Sequence, residues 1–334
     1  MPLVTRREEV LTIYGEAAKR KWVVPTFCSE NLSTTEAILS AVKDYGDTIG
    51  VDSLPVTVAI TNLYEHRSQT LNYTHSKKWN IGLKLFLSDL RILCGEDSPY
   101  SKLRVMVHLD HISPVLDKEL LGWDMNMFSS IMFDASAMPF QENMKATADF
   151  VSAHAKEIVI EGACDEIVDA GGNEVSRLTS PENAEEYMAR TKADFMVANL
   201  GTEHRASAAD LKYHGDLARN ISRKIGKRIV LHGCSSVSSD QIRNLSDDGV
   251  CKVNIWTALE RDSVPALLRE MTVNAGKVAG QALAGKLLQE HILGEAADSK
   301  SKASLGYFTT NYRQVIIFEE MKKIVKGYLE LWYV

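Results

Sequence analysis

Three histidines stand where an apolar run gives way to polar residues. They are His111 in "VMVHLDHISP" (105–114), His204 in "FMVANLGTEH" (195–204) and His232 in "RIVLHGCS" (228–235). Neutral imidazoles ligate divalent transition metals, and three around one ion with an open fourth position suit a catalytic Zn²⁺. Such an ion can hold a carbonyl and an adjacent hydroxyl together. As a Lewis acid it stabilises an enediolate, so that a neighbouring C–C bond can break or form. One histidine at a strand end is more often a hydrogen-bonded structural residue. Three at equivalent places in one fold point to a site. His66, His75, His154, His214 and His291 fall in loop or helical stretches and receive no role.

The elements that must position these residues alternate along the chain. Eight short β-branched runs, each apolar at its start and polar at its end, cover 23–28, 56–62, 104–111, 129–136, 157–163, 195–204, 228–235 and 250–257. Helical stretches lie between them. "TRREEVLTIYGEAAKRK" has Thr5 as its expected N-cap with Glu8 three residues on. "PENAEEYMARTKA" follows Ser180, an N-cap before proline, and "SSDQIRNLSDDG" stops at Gly249. Strands alternating with helices imply a parallel sheet, and eight such units fit an α/β (β/α)8 TIM barrel whose chemistry gathers at the C-terminal ends of the strands. A doubly wound open sheet is the structural alternative, weakened by the lack of a glycine-rich turn after the first strand. Residues 63–103 are expected to hold an extended loop and a helix. One barrel domain is expected over 1–334, with 265–334 a helical C-terminal extension whose apolar tail "GYLELWYV" packs on the barrel or on a partner subunit.

The balance of the chain excludes several other classes. A net charge of −6 argues against nucleic acid as the main partner, because phosphate backbones are held by clustered Lys and Arg. No apolar run reaches the roughly 18–20 residues of a membrane span. The N-terminus mixes charges of both signs and does not read as a signal peptide. Five scattered cysteines with no CxxC read as reduced packing thiols, and the expected location is the cytoplasm.

At this point "HLDH" (108–111), "GTEH" (201–204), "LHGCS" (231–235) and "KVNIWT" (252–257) resemble, in order and spacing, the class II, zinc-dependent ketose-bisphosphate aldolases. "VPTFCSENL" (24–32) and "MFDASAMPFQENMKAT" (132–147) are similar to the family's first and fourth strands, and the resemblance covers most of residues 10–260. It implies a (β/α)8 barrel holding one Zn²⁺ per subunit on His111, His204 and His232, with a monovalent cation as a further candidate ion. It also implies Asp110 as the acid/base at the hydroxyl of the cleaved bond, although an orienting carboxylate beside a ligand histidine is the plainer role. Glu174, in the Gly-Gly loop "DAGGNEVS" (169–176), matches the base that forms the enediolate, and Asn254 matches a residue binding the ketone-phosphate part of the substrate. Asn31, Gly233, Ser235 and Thr257 fall at further substrate positions. A homodimer or homotetramer is implied.

Departures from the family pattern cluster around the same site. Arg205 replaces a glycine and offers a charged fork for a phosphate or carboxylate. Gly233-Cys234-Ser235-Ser236 replaces a Gly-Gly-Ser-Gly phosphate loop, and Trp256 replaces a small or acidic residue. On the fifth strand Glu161 is kept but Ala163 takes the place of a second glutamate, with Asp165 or Glu166 as candidates to compensate. Cys28 and Glu30 stand where asparagines are usual. These changes imply retained metal chemistry on an altered anionic substrate, a ketose phosphate or a sugar acid. A sugar or sugar-acid epimerase or isomerase on the same scaffold, and a non-catalytic aldolase-like subunit, are the alternatives.

Overall fold

A computed structural model describes residues 3–165, 178–203 and 211–334. Its elements run β1 (Leu3–Val4), α1 (Arg7–Lys19), β2 (Val24–Cys28), α2 (Leu32–Ile49), β3 (Pro55–Thr61), α3 (Gln69–Asn72), α4 (Trp79–Leu93), β4 (Arg104–Ile112), β5 (Ser130–Phe133), α5 (Phe140–His154), β6 (Val159–Ala163), α6 (Pro181–Thr191), β7 (Phe195–Val197), α7 (Gly215–Ile225), β8 (Ile229–Leu231), α8 (Ser239–Ile242) and β9 (Val250–Ile255). All pairings are parallel, in the order β4-β3-β2-β9-β8-β7-β6-β5, and β5 pairs back onto β4. The sheet is therefore a closed barrel of eight strands, β2 to β9. Residues of these strands are buried on both faces, as expected where side chains fill the barrel and helices cover it.

The strands are shorter than the apolar runs suggest. Those at 195–204 and 228–235 pair only over β7 and β8. β7 ends at Val197 and β8 at Leu231, and Gly201 and Gly233, at φ 87° and 68°, lie in the rim connections that follow, with Asn199, Thr202 and His232. Leu3–Val4 also pairs, unexpectedly, with Val105 and Met106 of β4. This fills the early part of β4, which β5 joins only from His108 onward. The extended β1 delays the first helix: Arg6, not Thr5, is its N-cap, without a side-chain cap bond. Ser180 caps α6 as expected, its hydroxyl accepting from Asn183 N at 3.1 Å. In "SSDQIRNLSDDG" helix covers only Ser239–Ile242, and turns carry the chain to Gly249, where φ is 91°. The 63–103 segment contributes two helices, α3 and α4, instead of one.

The chain divides into two compact units, residues 1–256 with 326–334, and residues 257–325. The second begins with α9 (Thr257–Val273) and continues through α10 (Ala275–Ala279), α11 (Gln281–Gln289), α12 (Leu305–Phe308) and the first part of α13 (Thr310–Trp332). Within it, Tyr312 donates to Glu270 Oε1 at 2.7 Å, and the Lys277 ammonium lies 5.0 Å from the Tyr307 ring centroid. Among the described residues no helix is long and apolar enough to cross a membrane.

The C-terminal tail seats itself on the barrel unit. Trp332 Nε1 donates to Ile242 O at 2.9 Å, Tyr45 OH to Tyr333 O at 3.1 Å, and Tyr333 OH to Pro55 O at 2.5 Å. The Tyr333 ring lies 4.8 Å from that of Trp22. Tyr333→Phe keeps the ring and strands a buried carbonyl. The expected cost is about 1–2 kcal/mol, read as a lower urea midpoint at unchanged slope. An unchanged midpoint would show that the tail contributes no such bond in solution.

Candidate metal and proton-transfer site

The rim of the barrel positions the site through three adjoining devices. On β4, alternation turns His108 and Asp110 into the barrel, both buried. His111 then takes φ 50°, a strained setting for a non-glycine residue that re-aims its ring across the mouth. β4 and β8 stand opposite each other in the closed ring, and His232 follows β8 directly. Closure therefore brings together residues 121 apart in sequence: the His111 and His232 rings meet edge to face at 5.0 Å. Ligand atoms of Asp110, His111 and His232 all lie within 4.8 Å of one another, and the three residues are buried.

Neighbouring groups fix each member. His111 Nδ1 stands 2.7 Å from Asp134 Oδ2, which directs Nε2 to the centre. The Tyr64 ring stacks on the same imidazole, 4.3 Å away and 8° from parallel. Asn254 Nδ2 donates to Asp110 Oδ1 at 2.9 Å, and the Cys28 thiol to Oδ2 at 3.3 Å. Burial acts to raise the Asp110 pKa, but the imidazoles of His111, His108 and His232 outweigh it and hold the carboxyl well below its ordinary range. For His111 burial acts downward, and the carboxylates of Asp110 and Asp134 more than reverse it, so its pKa is raised. Cys28 is pushed well up, by burial first and then by the Asp110 carboxylate, which keeps it a neutral donor. The donor set, two imidazoles and a carboxylate around an oriented Nε2, suits a divalent transition metal.

Beneath this centre lies a charged core that the sequence reading passed over. Lys252 of β9 is fully buried, with Nζ 2.7 and 2.9 Å from the Glu161 carboxylate oxygens of β6 and 3.1 Å from His108 Nε2. An ammonium carries no lone pair, so Nε2 accepts and the His108 proton sits on Nδ1, facing Ser130 Oγ at 2.8 Å. His108 Nε2 is 3.6 Å from Asp110 Oδ1, so His108 links the ion pair to the Asp110 carboxylate. Of the polar residues on this apolar strand, His108 belongs to the buried network, and Asp110 and His111 belong to the mouth above it.

The remaining candidates have varied settings. Gly233 is left-handed, and an added Cβ would lie 2.7–2.9 Å from the Glu203 backbone, so only glycine fits. Ser235 sits in the short 3₁₀ turn Cys234–Ser236. Asn254 is buried, and its Oδ1 makes no hydrogen bond among the described residues. Asn31 commits its side-chain oxygen to capping α2 through Thr34 N at 3.1 Å. Thr257 opens α9 in the second unit. Glu166, Glu174, His204 and Arg205 lie outside the described residues. Ala163 is buried and offers no ligand, while Asp165 lines a cavity of about 270 Å³ shared with His111.

Two of the departures noted in the sequence prove to be one device. Glu30 accepts from Trp256 Nε1 at 2.8 Å, from Gln69 Nε2 at 3.2 Å, and from Arg67 through Nε and Nη2. This cluster fills the rim over β9, β2 and β3. Asp134, Tyr64 and Lys252 are the functional neighbours the sequence reading missed. The only available signal was a charged residue inside an apolar run, present for Asp134 and Lys252 and absent for Tyr64.

Comparison with known proteins follows the same line. Residues 8–331 match the family described as fructose-bisphosphate aldolase class-II. A fructose-bisphosphate aldolase of Giardia intestinalis is 28% identical over 286 residues, 76% of this chain and 79% of the relative. A D-tagatose-1,6-bisphosphate aldolase subunit of Klebsiella oxytoca is 32% identical over 167 residues, 47% of this chain and 57% of that one. Among solved structures, a fructose-bisphosphate aldolase of Campylobacter jejuni superposes with a TM-score of 0.76 at 18% identity, covering 99% of this chain and 95% of the other. The YdjI aldolase of Escherichia coli gives 0.64 at 16% identity, covering 96% and 94%.

Proposed function

We propose that this chain, which belongs to the class-II fructose-bisphosphate aldolase family and so to the carbon–carbon lyases, is a zinc-dependent aldolase acting on a phosphorylated or otherwise anionic ketose. The observation that carries the reading is the convergence of Asp110, His111 and His232 within 4.8 Å at the buried mouth of the barrel. His111 and His232, with His204, would hold the zinc. When bound, the ion supplies Lewis acidity toward the ketone and its neighbouring hydroxyl.

The protein's own groups handle the protons. Asp110, held as a carboxylate, takes the proton of the hydroxyl at the bond that breaks. The C–C electron pair stays with the ketone fragment, the other fragment leaves as an aldehyde, and Glu174 returns a proton to the ketone's carbon. Asn254 keeps Asp110 aimed and offers its unoccupied Oδ1 to a substrate hydroxyl. Gly233 and Ser235, with Arg205 and Asn31, are the proposed substrate contacts. The five cysteines are free and buried, in keeping with a reducing cytoplasm. Assembly as a dimer or tetramer is the expected state, read by light scattering.

A coupled assay over ketose phosphates and sugar acids tests the proposal. Cleavage into shorter fragments, lost on chelation and restored by zinc, is expected. Activity indifferent to chelator, or a product with all its carbons, would contradict it.

Zinc affinity should also depend on pH. A ligating imidazole must be neutral, and the His111 pKa is raised from 6.5 in the metal-free protein. Protons therefore compete at Nε2 below a pKa higher than that of a free histidine, and affinity falls as pH drops through it. A competition titration against a chromophoric chelator at several pH values checks this, and a flat profile would count against His111 as a ligand.

A further inference from the structure

The cavity beside His111 has a chemistry of its own. It measures about 270 Å³ and is bounded by residues that follow β3, β4, β5 and β6. Asn254, the proposed contact to the ketone part, belongs to β9, and Gly233, a further proposed substrate contact, follows β8, both across the barrel. A substrate spanning the metal centre with its ketone fragment over β8 and β9 must place the fragment beyond the cleaved bond in this cavity. Its walls carry the carboxylates of Glu65, Asp134 and Asp165, the Tyr64 ring, and the apolar side chains of Val115 and Leu116. Among the described residues no lysine or arginine lines it. Asp134 is engaged with His111, which leaves Glu65 and Asp165 as the other carboxylates of the wall, beside the His66 ring.

Phosphate in such a place meets like charge, whereas sugar hydroxyls find carboxylate acceptors, and C–H faces find Val115 and Leu116. At the rim over β9, β2 and β3, Glu30 is already bonded to Trp256, Gln69 and Arg67. Resting on the aldolase reading above, we infer that the fragment released as the aldehyde is an uncharged polyhydroxy chain. The substrate is then a ketose whose only phosphate lies at the ketone end, and Glu65 and Asp165 determine that specificity.

The test uses zinc-loaded full-length protein and two ligands that cannot be cleaved, a hexitol 1-phosphate and the corresponding 1,6-bisphosphate, titrated calorimetrically. The cognate ketose phosphates are assayed in parallel. The monophosphate should bind tighter, and its ketose should show the higher kcat/KM, each by at least about tenfold. Glu65→Lys should shrink both ratios. Equal or tighter binding of the bisphosphate, a ratio unmoved by Glu65→Lys, or no binding of either hexitol would overturn the inference. A retained binding preference without cleavage of any ketose would sink the aldolase reading and leave only the preference of this cavity for an end without phosphate. Zinc-dependent cleavage that favours the bisphosphate would do the reverse.

Discussion

Lys252→Met is expected to destabilise the protein by about 3–5 kcal/mol, the usual cost of removing one partner from a buried ion pair. Lys252 and Glu161 have no exposed side-chain surface, and the ammonium gives its donors to the two Glu161 oxygens and to His108. Without it, the Glu161 carboxylate is left inside the barrel with its main partner gone, and it must take up a proton or draw in water. His108 loses the donor that fixes its tautomer, and Asp110 lies 3.6 Å from that ring. Activity should therefore fall further than stability alone explains. The double variant Lys252→Met/Glu161→Leu removes both charges together and should recover most of the lost stability, because the penalty is the orphaned charge. Urea unfolding of the metal-free proteins measures both. A single-variant loss under about 1 kcal/mol would show that the pair is not buried in solution.

His232→Ala should be the most damaging change to activity with the least effect on folding. The ring reaches the site from the rim loop after β8, opposite His111, and belongs to no strand ladder. Lewis-acid stabilisation by a bound ion contributes several kcal/mol, so losing a ligand should lower kcat/KM by about a thousandfold or more. Asp134→Asn tests the supporting layer. It weakens the bond that aligns the His111 ring, so metal affinity should fall by about 10–100-fold while added zinc restores turnover. Equal activity of His232→Ala and the parent protein would remove the basis for a metal site at this mouth. Equal zinc affinity of Asp134→Asn would show that the Tyr64 stack alone orients His111.

Much of this was readable from the chain because barrel strands announce themselves as short β-branched runs, and the residues after them fall at one end. His111 and His232 could be placed at the same rim on that ground alone. What escaped were relations between strands. Lys252 and Glu161 are 91 positions apart, and each looks like an isolated charge until β6 and β9 face each other across the interior. Glu30 and Trp256 read as separate departures until the β2–β9 pairing sets one beside the other and a hydrogen bond joins them. Thr5 failed as a cap because β1 is drawn into the sheet by β4, a long-range pairing that overrides a local capping pattern. β8 is shorter than its apolar run because Gly233, at positive φ, turns the backbone out of the ladder two residues after Leu231, which composition does not reveal.

Anomalous diffraction at the zinc edge, from crystals of the zinc-loaded protein, addresses the central claim most directly. One peak within bonding distance of His111 Nε2 and the His232 ring, at about 2.0–2.1 Å from each nitrogen, is the expected result. Zinc bound elsewhere, with the two rings empty between them, would contradict it.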